Sequence, residues 1–288
     1  MADKRGIDIS AYQGSPDFAK LKGKVDFIIL RAGYGRYPSQ KDKSFERNYA
    51  ECRRLGIPVG AYWFSYAVNA ADAKREAAAC AEVLRGKKFE YPIYFDVEGK
   101  SLVDKATVSA MCETFCSAME KQGWFAGIYI SRSPAQTMLT EKVASRYALW
   151  LAEYGGRLNW SGDVGMWQNS SSGKVSGISG NVDTDICYVD YPKLIRAKGL
   201  NGFKADGKPV LDNVGFRKGD RSEGVLAYKL MLKLADEAGV VSAAVDENNT
   251  FGEGTLKATN ALLAKWGYAE NGIAGEGVLK RLYSILKR

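Results

Sequence analysis

The chain has 288 residues, of which 46% are hydrophobic and 26% charged, and 41 Lys and Arg stand against 33 Asp and Glu for a formal net charge of +8. That content supports a true apolar core and excludes disordered and collagen-like chains, and the length predicts one domain of about 200 residues with a smaller companion. There is no histidine, which removes Ser-His-Asp and Cys-His relays, His-based zinc sites and a histidine general base, and leaves acid and base work to carboxylates, Tyr, Lys or Cys.

The basic excess is thin everywhere: residues 1–190 hold 25 basic and 22 acidic side chains, 191–213 hold 5 and 2, and 214–288 hold 11 and 9. A nucleic-acid binder concentrates its charge on one element with aromatics interleaved, so no nucleic-acid partner is expected. Cys52, Cys80, Cys112, Cys116 and Cys187 form an odd set without CxxC spacing, which reads as buried free thiols rather than a metal site. The opening MADKRGIDIS has no apolar run of signal-peptide length, and no stretch approaches the ~20 apolar residues of a membrane span. The expectation is a chain made in the cytoplasm without insertion into a membrane.

Eight strand-length apolar runs follow in order: GIDIS (6–10), VDFIILRAGY (25–34), VGAYWFSY (59–66), YPIYFDVE (91–98), AGIYI (126–130), YALWLAEY (147–154), VGMWQNS (164–170) and NVDTDICY (181–188). Between the first five lie segments with helical spacing of apolar residues, notably 44–55, 70–84 and 105–121. Strands alternating with helices predict a parallel sheet. After Tyr154 only about ten residues separate successive strands, fewer than a parallel crossover needs. The predicted fold is an α/β, irregular TIM-like (β/α) barrel of about eight strands with few helices in its last third. Residues 192–213, with Pro192, Gly199, Gly202, Gly207 and Pro209 among lysines, read as a linker. Beyond it, 222–238 is an amphipathic helix, and FGEGTLKA (251–258) repeats as AGEGVLKR (274–281), each Gly-Glu-Gly turning the chain into a helix. This predicts a small, mostly helical domain over 214–288 after a barrel over 1–191.

Barrel active sites gather at the carboxyl ends of the strands. Asp8 falls near the end of the first strand, Asp96 and Glu98 at the end of the fourth, Gln168 at the end of the seventh and Asp183 near the eighth. Strand alternation turns Tyr94, Asp96 and Glu98 to one side and Ile93, Phe95 and Val97 to the other. Carboxyls crowded at a barrel mouth raise one another's pKa, which lets one of them donate a proton at neutral pH. An isolated Asp-x-Glu more often begins a solvated loop, but Asp8 and Asp183 at the same mouth reverse that preference. Tyr12, Tyr34, Tyr62, Trp63, Tyr66, Tyr154 and Trp167 lie near the same ends, where sugar faces could stack on some of them while others fill the core. No GxxxxGK[ST] loop or complete dinucleotide glycine pattern is present, so no cofactor and no metal is expected.

Asp8-Ile9-Ser10 with Tyr12-Gln13-Gly14, FIILRAGYG (27–35), GAYWFSYA (60–67), YPIYFDVEG (91–99), LWLAEY (149–154) and MWQNSSSGKVSGISGNVDTD (166–185) together resemble the family 25 glycoside hydrolases. These are lysozymes of the kind found in bacteriophage endolysins and bacterial autolysins. The resemblance spans most of residues 5–190. It implies hydrolysis of the β-1,4 bond from N-acetylmuramic acid to N-acetylglucosamine in bacterial peptidoglycan, with Glu98 as the acid, Asp96 as its companion, either orienting the substrate's 2-acetamido group or acting as nucleophile, and Asp8 and Asp183 in electrostatic and positioning roles. Tyr12, Arg31, Tyr34, Tyr62, Trp63, Tyr154, Trp167 and Gln168 are the expected substrate-binding residues. Asp185 stands where the family often has Asn. Residues 215–286 more distantly resemble peptidoglycan-binding modules, which implies a cell-wall-binding domain, and the whole reads as a phage product for host-cell lysis, released to the wall through a holin pore, while an autolysin or prophage product would look the same. Two alternatives stand beside this reading: a chitinase-like enzyme, whose D-x-x-D-x-D-x-E pattern meets Tyr91 and Tyr94 here, and a non-catalytic wall-binding protein, against which retention of the four acids argues.

Overall fold

The structure, a computed structural model, describes residues 3–204 and 210–287. The chain divides into two compact units, Met1–Lys204 and Ala205–Arg288.

In the first unit, β1 (Lys4–Ile9), β2 (Phe27–Tyr34), β3 (Val59–Phe64), β4 (Ile93–Asp96), β5 (Ala126–Ser131), β6 (Ala148–Ala152), β7 (Met166–Gly173) and β8 (Val182–Cys187) close a barrel in sequence order. The pairs from β1–β2 through β6–β7 are parallel, whereas β8 runs antiparallel to both β7 and β1. The connection before β8 is too short for a parallel crossover, and an antiparallel return is what such a length permits. Helices α1 (Phe18–Leu21), α2 (Phe45–Leu55), α3 (Ala70–Leu84), α4 (Lys105–Glu120), α5 (Arg132–Met138) and α6 (Glu141–Arg146) fill the connections up to β6, and none separates β6, β7 and β8. Asn69 and Asp104 start the two longest of these by accepting the amides of Asp72 and Thr107.

Side-chain alternation divides the barrel into two apolar layers. Ile28, Leu30, Val59, Ala61, Trp63, Ile93, Phe95 and Ile128 face outward and pack with helix residues such as Ala77, Cys80, Met111 and Phe115. Phe27, Ile29, Tyr94, Tyr129, Trp150 and Met166 belong to a separate inner cluster. The ring of Tyr94 is accommodated by Gly127, where a Cβ would lie 2.6 Å from it, so this glycine serves close packing of the interior. All five cysteines are buried and free.

One expectation is corrected here. Residues 192–198, expected to begin the linker, instead belong to a helix, α7 (Tyr191–Lys198), with Asp190 accepting the amide of Lys193 and Gly199 closing it in the left-handed region at φ 62°. Its Tyr191 and Ile195 join the inner cluster with Tyr91, and Asn201 ties the following turn back by bonding Tyr91 O and Phe125 N. The chain therefore belongs to the barrel unit through Lys204, and the 205–209 part of the expected linker lies outside the described residues.

The second unit holds α8 (Glu223–Glu237), α9 (Glu253–Lys265) and α10 (Glu276–Leu286), around Val225, Tyr228, Leu232, Phe251, Leu262, Val278 and Leu282. Both Gly-Glu-Gly turns open helices, with Gly252 and Gly275 as N-caps. A third copy of the motif, Ser222-Glu223-Gly224-Val225-Leu226, opens α8 with Ser222 in the cap position. Lys229 is buried, and its ammonium donates to Asp246, to Asn248 O and Oδ1, and to Thr250 O. Four acceptors compensate a burial that would otherwise be very costly for a charge. No helix among the described residues is long and apolar enough to cross a membrane.

Candidate active site

Inward-facing positions near the carboxyl ends of β1 to β4 and of β7 meet the start of the antiparallel β8. Asp8 is paired across β1–β8 with Asp183, and Asp96 across β4–β5 with Tyr129. The result is one cavity of about 190 Å³ lined by Asp8, Asp96, Glu98 and Asp183, by Ser10, Tyr12, Gln13, Arg31, Tyr62 and Phe64, and by Tyr129, Trp150 and Gln168. All four predicted acids are brought together, and Glu98 turns the same way as Asp96, as alternation requires.

Burial differentiates the acids. Asp8 and Asp96 are almost wholly enclosed, while Glu98 and Asp183 are half-buried at the open side. Burial is the main force raising every one of them above the ordinary carboxylate range; Asp183 further raises Asp8 and Glu98, and Glu98 further raises Asp96. Gln168 opposes this at Asp8 by donating Nε2–H to Oδ2 at 2.7 Å. Its own Oε1 accepts from the Tyr129 hydroxyl at 2.9 Å and the Tyr154 hydroxyl at 3.1 Å, which fixes the orientation of the amide. Asp96 Oδ1 is buried with no hydrogen-bond partner among the described residues. Beneath the cluster, Asp185 accepts Trp150 Nε1–H at 2.8 Å and is raised by burial and by Asp8. The departure at 185 thus puts a carboxyl, biased toward its neutral form, in the barrel floor.

Of the predicted binding residues, Tyr12, Arg31, Tyr62 and Gln168 line the acid cavity, Tyr34 lines a neighbouring one with Tyr12 and Arg31, and Tyr154 reaches the site through Gln168. Arg31 is committed to the protein: Nε and Nη2 both lie 2.7 Å from Asp42 Oδ2, and its guanidinium covers the Tyr12 ring. Trp63 and Trp167 are corrections. Trp63 faces the helices, fully buried, and donates Nε1–H to Gly35 O, while Trp167, adjacent in β7 to the inward Gln168, donates to Glu153 O. Both have the wrong strand parity for the cavity. Sequence reading missed Trp150, Tyr129, Phe64, Ser10, Gln13 and Asp42. Trp150 forms an aromatic floor with Tyr62, Tyr94 and Tyr129 at centroid distances of 6.1, 5.1 and 4.6 Å.

An open polar cavity with four carboxyls raised by burial above the ordinary carboxylate range and an aromatic floor is suited to acid-catalysed cleavage of a neutral polar ligand.

Comparison with known proteins agrees. The autolytic lysozyme of Clostridium acetobutylicum is 28% identical over 186 residues, covering 63% of this chain and 55% of that protein. The modular autolysin LytC from Streptococcus pneumoniae, whose structure was determined with a synthetic peptidoglycan ligand, is 32% identical with a TM-score of 0.59, over 65% of this chain and 47% of its own. The chain thus spans about half the length of these relatives. The CTP1L endolysin shares the fold at 22% identity and a TM-score of 0.62 over 99% of both chains. Residues 7–178 match the model of the glycosyl hydrolases family 25, and the chain belongs to that family.

Proposed function

We propose that this chain is a peptidoglycan hydrolase, an N-acetylmuramidase that cleaves the β-1,4 bond from N-acetylmuramic acid to N-acetylglucosamine. The observation that carries the reading is Glu98: it is half-buried at the open side of a cavity with three further carboxyls, and burial and Asp183 favour its protonated form. In this reading Glu98 gives its proton to the glycosidic oxygen as the bond to C1 breaks. Asp96 ends β4 two residues before Glu98 and lines the same cavity, whereas a protein nucleophile has to flank the scissile bond from the other side. Asp96 therefore accepts the N–H of the 2-acetamido group, and the acetamido oxygen closes on C1. Glu98, now ionised, takes a proton from the water that reopens this ring, and configuration is retained. Asp8 and Asp183 stabilise the positive charge that develops on the sugar, with Gln168 fixing Asp8.

The second unit is proposed to hold the enzyme on the wall. Its resemblance to peptidoglycan-binding modules and the whole-length likeness to an endolysin support this. The same likeness favours host-cell lysis by a chain made in the cytoplasm and released through a holin pore. The test is clearing of purified wall suspensions. Glu98→Gln should lose nearly all turnover while still sedimenting with walls, and near-normal clearing by the variant would sink the assignment.

A further inference from the structure

Beside the acid cavity lies a second one of about 460 Å³, which shares Tyr12, Arg31 and Phe64 with it and adds Tyr34, Tyr66, Lys41, Asp42 and Lys43. The two differ in charge. The acid cavity has four carboxyls and one cation, Arg31, whereas the second has three cations around the single carboxyl of Asp42. Two of those cations are already engaged: Arg31 holds Asp42, and Lys41 Nζ lies 3.0 Å from Glu46 Oε1. Lys43 is exposed and has no hydrogen bond or ion pair among the described residues. Its backbone is nevertheless fixed, because the neighbouring Asp42 is buried, receives Arg31, Ala11 N and Ser44 N, and donates its own amide to Ala32 O. A free cation on a rigid loop, one cavity away from a cluster that repels anions, selects a ligand that is neutral where it reacts and anionic a short distance away.

Given the muramidase reading, on which this rests, the ligand has that form: the N-acetyl sugars are uncharged, and the muramic residue bears a lactyl group from which the peptide stem with its carboxylates extends. We propose that Lys43 is a specificity-determining residue that pairs with a carboxylate carried by the muramic substituent, so that the second cavity reads the substituent while the first cleaves the glycan.

The test compares teichoic-acid-free, soluble peptidoglycan fragments with the same fragments after their carboxylates are blocked as methylamides. An exposed ion pair supports a preference of about two- to fivefold in kcat/KM for the native fragments. Wild type should show that preference, Lys43→Ala should lose it, Lys43→Arg should restore it, and added salt should erode it. Because the stem is joined to the lactyl carboxyl as an amide, the anion in native fragments is a stem carboxylate; fragments stripped of stems and with the freed lactyl carboxyl blocked should be cleaved alike by wild type and Lys43→Ala, and a Lys43 dependence persisting there overturns the assignment. Equal kcat/KM on native and blocked fragments in wild type, or a preference unchanged in Lys43→Ala, overturns it. The same ratio read as Kd in a Glu98→Gln background, with and without Lys43→Ala, needs no turnover. A chain that cleaves nothing then refutes the muramidase reading separately from the subsite.

Discussion

Glu76 gives the most quantitative handle on this barrel. It lies on α3, fully buried, with Oε1 accepting the Tyr66 amide at 2.8 Å and Oε2 without a partner among the described residues. Burial pushes its carboxyl up to about 7, against the lowering effect of the Tyr66 hydrogen bond. A raised carboxyl keeps its proton in the folded chain after the unfolded chain has released it. Stability therefore falls as pH rises from the ordinary Glu range to about 7 and levels off above that. At 1.36 kcal/mol per unit, a window of about two and a half units is worth about 3 kcal/mol. Glu76→Gln keeps the acceptor for Tyr66 and does not titrate. It should match wild type to within about 1 kcal/mol near pH 4.5 and exceed it by about 2 to 3 kcal/mol at pH 8. Urea unfolding followed by tryptophan fluorescence reports this unit, because Trp63, Trp124, Trp150, Trp160 and Trp167 lie in it and Trp266 alone lies beyond. A gap that is the same at both pH values, or a variant less stable at pH 8, would refute the reasoning.

Further outcomes follow from other contacts. Gln168→Met removes the donor to Asp8 and the acceptor of Tyr129; it should destabilise by about 2 to 4 kcal/mol and cut turnover on wall substrate, and unchanged stability with unchanged turnover would contradict the site geometry. Trp63→Phe loses the bond to Gly35 and outer-layer packing, so thermal unfolding should show a loss of about 1 to 3 kcal/mol while KM stays at the wild-type value; a raised KM would restore Trp63 to the binding surface. Lys229→Met leaves the Asn248 and Thr250 carbonyls without their donor and should cost about 2 to 3 kcal/mol. Hydrogen exchange in the full chain should speed up in α8 and the 246–250 segment only, and unaltered exchange there would argue against the caged ammonium.

The strands and the four acids are legible because each signal is local. In residues 95–98, apolar and charged side chains alternate, so Asp96 and Glu98 declare their shared face without knowledge of the neighbours. The aromatics offer no such signal. Tyr62 and Trp63 sit in a strand apolar on both sides, and which one faces the cavity is set by pairing across β3–β4, where Tyr62 aligns with Tyr94. Trp150 escaped notice for the same reason, flanked by Leu149 and Leu151. Asp42 stands in a turn away from any strand end, and only the tertiary reach of Arg31 identifies it. By contrast α7 carries its own start and stop, Asp190 with Pro192 and then Gly199, and was obscured by the glycines and lysines that follow. The third Glu-Gly-x-Leu copy at 223–226 is present in the sequence too, but Ser222 in place of glycine masks the repeat.

The central claim concerns which bond is cut and by which acid. Purified peptidoglycan digested with wild type or Glu98→Gln and then reduced with borohydride identifies the sugar at each new chain end. The account predicts reduced muramic acid with wild type and none above background with Glu98→Gln. Reduced glucosamine, or muramic ends released equally by the variant, would contradict it.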